Sequence, residues 1–162
     1  MAEIRFETDP DAVQKSAPGE IFSGFDILVD GESVFEQLKL GTYVNGFSYE
    51  FFLTTVGALE ALHDGHPHKF EVEHPFVLKF DPHGSELELF LRAPAVIDRE
   101  DEQHYYVDFQ EFARAVIETT DEFLEFVVEV RPELANHHEI ERLRESLESR
   151  REWYRETYGE DV

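Results

Sequence analysis

The sequence predicts an α+β domain, with helices covering one face of an antiparallel sheet of about six or seven strands. Short segments of alternating apolar and polar residues recur up to residue 108, which is the period of half-buried strands. One segment among them and two long ones after them have the three-and-four spacing of amphipathic helices. The length of 162 residues is that of one domain, residues 1–162.

The first third of the chain is predicted to form three strands. Residues 4–7 alternate, residues 9–23 have no period and are predicted as a loop, and residues 25–30 alternate again. Asp30-Gly31 is a hairpin signal, because both residues tolerate a positive φ. Residues 33–40 are predicted to return as the partner strand.

The middle of the chain is predicted to contain a helix and three strands. Residues 47–62 place apolar side chains at helical spacing, and the strands follow at 69–73, 76–80 and 86–92. Asp81-Pro82-His83-Gly84 has the composition of a type I turn between the last two strands. This turn predicts an antiparallel hairpin.

A last strand at 104–109 leads into a long helix over 109–130. Asp108 is an N-cap residue type, and Glu111 three positions later completes a capping-box pattern. A broad apolar stripe on this helix predicts that it covers the core.

The segment after it, residues 132–158, is predicted as a charged helix, which gives a C-terminal helix pair. Arginine and glutamate interleave along it, as in a solvated helix with i,i+4 ion pairs. An alternative is self-association, a homodimer through residues 140–158. The self-association hypothesis rests on four apolar residues with heptad-like spacing: Ile140, Leu143, Leu147 and Tyr154.

The net charge is −23, from 37 acidic residues against 14 lysines and arginines. Four of the basic residues are lysines, and acidic residues occur in every segment. This composition resembles that of cytoplasmic proteins of extreme halophiles, in which salt screens the self-repulsion. The charge also disfavours binding to nucleic acid or to an anionic membrane.

Candidate metal ligands lie among the histidines between His63 and His83. His63, His66 and His68 stand close together in the sequence, and zinc accepts imidazole nitrogens in such numbers. The alternative is a polar turn after a helix. The sequence contains no cysteine, no nucleophile elbow and no phosphate-binding loop, so nothing in it argues for an enzyme or a cofactor.

The sheet face away from the helices is a candidate partner-binding surface. Strand alternation places Phe90 and Val77 on that face, with His104 and Tyr106 of the last strand. Exposed aromatic residues rimmed by charges are typical of a binding patch. Alternatively, the loop of residues 93–103 folds over them.

The layout of residues 25–130 resembles that of small immunity-protein-like α+β domains. The resemblance lies in DILVDGESVFEQL, FFLTTVGALEAL, VLKFDPHGSELEL and DFQEFARAVIETTDEFLEFV. It implies a non-enzymatic cytoplasmic binder that neutralises a toxin. The alternatives are a metal-binding protein or metal-dependent enzyme that uses the histidines, and a homo-oligomeric structural or regulatory protein.

Overall fold

The computed structural model describes residues 2–8, 22–38 and 44–162, which form an α+β structure. The strands are β1 (Ile4–Thr8), β2 (Phe22–Val29), β3 (Glu32–Ser33), β4 (Val44–Phe47), β5 (His68–Glu73), β6 (Phe76–His83), β7 (Glu86–Arg92) and β8 (His104–Asp108). The helices are α1 (Ser48–His63), α2 (Phe109–Val130) and α3 (His138–Tyr158). Most of the predicted loop at 9–23 lies outside the described residues.

The strands form two antiparallel sheets, whereas the sequence predicts one sheet of six or seven strands. In the first sheet the order is β1-β2-β3, and β4 pairs with β2 as well. In the second sheet the order is β5-β6-β7-β8. α1 follows β4 directly, and the next strand, β5, belongs to the second sheet. The sequence pattern did not indicate β4.

The hairpin between β2 and β3 is confirmed, although its second strand is shorter than predicted. Asp30 and Gly31 have φ values of 52° and 81°, which fit a two-residue turn of the type that matches strand twist. β3 ends after two residues. Val34 and Phe35 are both buried, and successive residues of a strand cannot both point into the same core.

The hairpin between β6 and β7 is also confirmed, but its turn was predicted in the wrong place. Asp81 and Pro82 continue β6 and pair with Glu88 and Leu87. The chain reverses two residues later than the predicted type I turn, at Gly84 and Ser85, where Gly84 has a φ of 65°. A glycine adopts this left-handed conformation at little cost, so strand pairing extends through the predicted turn.

One hydrophobic cluster joins both sheets to all three helices. Phe25 of the first sheet stacks on Phe51 of α1 at 4.3 Å, and Phe52 of α1 packs against Phe123 of α2 at 5.1 Å. Burying aromatic rings in this way stabilises the fold by apolar area and by ring geometry. α2 begins as predicted, because Asp108 accepts a hydrogen bond from the backbone N–H of Glu111 at 3.1 Å.

α3 begins at His138, after a 3-10 turn at Pro132–Leu134, and not at residue 132. Its apolar stripe packs inside the same chain, against α1 and α2. The four stripe residues are each at most 1% exposed: Ile140, Leu143, Leu147 and Tyr154. The apolar stripe on which the predicted homodimer through residues 140–158 was based is therefore buried within the chain itself. None of the helices of the described residues is both long and apolar enough to span a membrane.

Candidate functional site

The second sheet has an outer face, the face turned away from the helices. Its strand register places Lys79, Phe90 and His104 in one row, since directly opposed residues share a face. The next row contains Glu88 and Tyr106. Val77 lies opposite Arg92 on the same face. The structure therefore brings Phe90, Val77, His104 and Tyr106 to one face, as predicted.

Phe90, however, is buried, so the prediction that it is an exposed contact residue was wrong. It is 2% exposed, although it lies outside the main hydrophobic cluster. The His104 ring stacks on it at 4.3 Å, and the Arg92 guanidinium lies 4.8 Å from its centroid. Ala93 and Ile97, in the segment that follows β7, are buried too. The side chains of His104 and Arg92 thus cover this ring, and these residues flank the loop 93–103 that the alternative interpretation proposed as the cover.

Glu88 is the centre of a polar network on this face. Its carboxylate lies 2.7 Å from His83 Nε2, accepts a hydrogen bond from the Tyr106 hydroxyl at 3.1 Å, and contacts His104 Nδ1 closely. Burial alone would raise the pKa of Glu88. The hydrogen bonds from His83, His104 and Tyr106 outweigh that effect together, so this pKa lies below its usual value.

His104 connects Glu88 to a second buried carboxylate. Its Nε2 lies 3.1 Å from Glu102 Oε1, so both ring nitrogens face carboxylate oxygens. Glu102 also accepts two hydrogen bonds from Arg92, at 3.0 and 3.1 Å. Arg92 is the main reason that the pKa of Glu102 is lowered.

We name these side chains the Glu88 network: His83, Glu88, Arg92, Glu102, His104 and Tyr106. Sequence reasoning found two of its members, His104 and Tyr106. Strand alternation placed Glu88 and Arg92 on the outer face, but no pattern distinguished them from other charged residues. Glu102 follows a 3-10 turn at Arg99–Asp101, and no local signal indicates that its side chain is 3% exposed.

The network holds its side chains in position through hydrogen bonds and ion pairs. His104 uses both ring nitrogens on carboxylates, so neither is open to a substrate. The hydroxyl of Tyr106 donates to Glu88, and this bond raises the pKa of the phenol. An oriented aromatic ring thus lies beside paired charges, an arrangement that suits recognition.

Among the described residues, large hydrophobic side chains are exposed in the segment 93–108 after β7. Two large hydrophobic side chains are exposed there, Tyr106 at 51% and Val96 at 61%. Both belong to this segment, which ends in β8, where the His104 ring stacks on Phe90. Of the four predicted partner-binding residues, Tyr106 and His104 are exposed, Val77 is partly exposed and Phe90 is buried.

The structure does not bring the three predicted metal ligands together. His63 packs against the rings of Trp153 and Tyr158, at 5.6 and 6.1 Å. His66 is exposed. His68 lies against Phe80, and its buried Nε2 has no hydrogen-bond partner. Burial lowers the pKa of His68, which favours the neutral ring.

Within the described ranges, the ligand atoms of one carboxylate trio lie within 4.8 Å of one another. The trio is Asp98, Glu100 and Asp101, and all three residues are exposed. Exposed carboxylates of this kind occur widely without an ion, so the trio does not define a metal site.

The chain was compared with protein-family models, with curated proteins and with solved structures, and none of the three comparisons finds a match.

Proposed function

We propose that this protein is a non-enzymatic protein-binding module whose partner contacts the outer face of the second sheet at Tyr106. The observation that carries the proposal is the exposure of Tyr106 on this face, together with that of Val96 in the segment after β7, while Phe90 is covered. Tyrosine is among the residues that most often dominate an interface energetically. Its ring combines apolar area with a hydroxyl that can bond.

The Glu88 network supports this role because it holds the anchor in place before binding. The Tyr106 hydroxyl is bonded to Glu88, and Glu88 is held in turn by His83 and His104. A side chain that is already ordered loses less conformational freedom on association. The face therefore presents a rigid aromatic residue, while Arg92 and Glu102 neutralise each other at its side.

The partner that we propose is a toxin, which the protein neutralises in the cytoplasm as immunity proteins do. The support is the likeness in layout over residues 25–130. The test is co-expression with each protein encoded by a neighbouring reading frame, with cell growth as the readout; if no neighbour is toxic, the toxin proposal fails. The double variant Tyr106→Ala/Val96→Ala should lose the protection, whereas Phe126→Ala on α2 should keep it. Full protection by the double variant would place the contact elsewhere.

We also propose that the protein is adapted to high salt. The support is its net charge of −23 together with its content of four lysines. The Debye length shrinks from about 10 Å in 0.1 M salt to about 3 Å in 1 M salt, so repulsion between carboxylates weakens. The thermal midpoint should rise between about 0.1 M and about 3 M KCl. A midpoint that does not change would remove the halophile proposal.

A further inference from the structure

A groove of about 480 Å³ lies between α2 and α3, in the helical layer and away from the outer face of the second sheet. Its apolar lining comes from Leu124 and Val128 of α2 and from Leu147 of α3. Its charged lining consists of Asp121, Glu125, Glu129, Arg144, Glu148 and Arg151. This volume falls within the range of ligand-binding clefts.

The charge that remains available in the groove is negative. Asp121 is paired with Arg151 at 2.9 Å. Arg144 donates to the neutral carbonyl of Ala135 at 3.4 Å and keeps its charge, so the four acidic and two basic lining residues carry a net charge of −2. In the part of the chain that the structure describes, Glu125, Glu129 and Glu148 form no ion pair within 4.0 Å. The groove thus combines an apolar lining with three carboxylates that form no ion pair. These carboxylates would repel a second copy of this acidic chain.

We propose that this groove docks a cationic amphipathic helix of a partner protein. Glu125 and Glu129 are one helical turn apart, about 6 Å along the axis, and lysines four residues apart on a partner helix have the same spacing. The lysines of the partner helix would pair with Glu125 and Glu129, and its apolar residues would contact Val128. This is a helix-in-groove interaction in which opposite charge sets the partner and its orientation. It does not depend on the contact proposed at Tyr106.

The test uses the full chain and a synthetic helical peptide with leucine on one face and lysine on the other. A peptide of the same composition in scrambled order controls for charge alone. Binding is measured by fluorescence anisotropy in about 1 M KCl, where attraction beyond about 3 Å is screened and direct contacts remain. The amphipathic peptide should bind the native chain, and the scrambled peptide should bind at least about tenfold more weakly.

Two matched charge reversals locate the contact. Glu125→Lys/Glu129→Lys changes the groove, and Glu118→Lys/Glu122→Lys makes the same change at the same spacing on α2 outside the groove lining. All four glutamates are exposed, so both variants should fold, and Glu125→Gln/Glu129→Gln provides a milder version. The groove reversal should weaken binding at least about tenfold more than its control.

Each of three outcomes would overturn the proposal. These are no binding by the native chain, equal binding of the scrambled peptide, and equal losses in the two reversals. The last two would mean that the peptide responds only to the overall charge of the protein.

Discussion

Strand β7 contributes side chains to both faces of the second sheet, and the two faces bury them by different means. On the inner face, Leu87, Leu89 and Leu91 are at most 1% exposed within the hydrophobic cluster. On the outer face, Phe90 is 2% exposed under His104 and Arg92, and Glu88 is 9% exposed at the centre of hydrogen bonds.

The difference shows that burial alone does not identify a core. The inner face rests on many weak apolar contacts, which are non-directional and are shared among many residues. The outer face rests on a few directional bonds between charged groups, and each bond depends on its partners. A change on the outer face should therefore respond to pH and to single polar substitutions, whereas the inner face should respond to lost volume.

The largest effects should come from the adjacent pair Leu89 and Phe90. Leu89→Ala removes core volume and should lower the free energy of unfolding by about 2–5 kcal/mol. Phe90→Ala should cost about 3 kcal/mol, because the ring is buried although it faces the other way. Denaturant unfolding in high salt measures both. A cost below about 1 kcal/mol for Phe90→Ala would mean that this ring is not packed.

Glu102→Gln should have the next largest effect. It removes the anionic acceptor shared by Arg92 and His104. Both partners keep some contact with water, at 26% and 28% exposure, so the expected loss of stability is about 1–3 kcal/mol. Glu100→Gln, an exposed neighbour in the same segment, is the control. Equal stability of the two variants would show that the Glu102 contacts contribute nothing.

The outer face should also give the protein an acid-sensitive stability. The pKa values of Glu88 and Glu102 are lowered in the folded state. Their contribution is therefore present above the usual glutamate pKa of about 4.3 and is lost as the pH falls through their lowered values. The stability difference between the native chain and Glu88→Gln/Glu102→Gln should shrink over that acidic range. A difference that does not vary with pH contradicts the lowered pKa values.

Asp26 of β2 should change the pH dependence of stability in the direction opposite to that of Glu88 and Glu102. It is fully buried, and its Oδ2 has no hydrogen-bond partner, whereas Oδ1 accepts from Ser33 and from the Ile27 N–H. Burial raises its pKa, so its contribution to stability falls as the pH rises through that raised value. Asp26→Asn should therefore raise the melting midpoint more at neutral pH than near pH 3. The same shift at both pH values would contradict this.

The smallest effect on folding should come from Tyr106→Phe. The ring is half exposed, and the substitution removes only the hydroxyl that donates to Glu88. The melting midpoint should stay within error of the native value, while the contribution of Glu88 to the acid response should decrease. A clear loss of stability would mean that the Tyr106 hydroxyl contributes to folding and does not serve only to orient the exposed ring.

Local sequence signals determined much of the fold, because the residues that cause each feature lie close together in the chain. Asp108 and Glu111 placed the start of α2, and its apolar spacing placed the buried stripe. Asp30-Gly31 placed the first hairpin. Alternation also assigned Phe90 and Tyr106 to the correct face of the sheet.

Only the tertiary structure decided whether those residues are covered. Phe90 and Tyr106 share a face and an alternation pattern, yet one is buried and the other exposed. Phe90 is buried because His104 and Arg92 lie over its ring. Both of these side chains are bonded to Glu102, which is ten residues from Arg92 in the chain. Likewise, α3 has a heptad-like stripe that suits a second copy equally well, and the core of its own chain occupies it. Periodicity specifies the direction of a side chain, whereas burial depends on contacts between segments that no local pattern encodes.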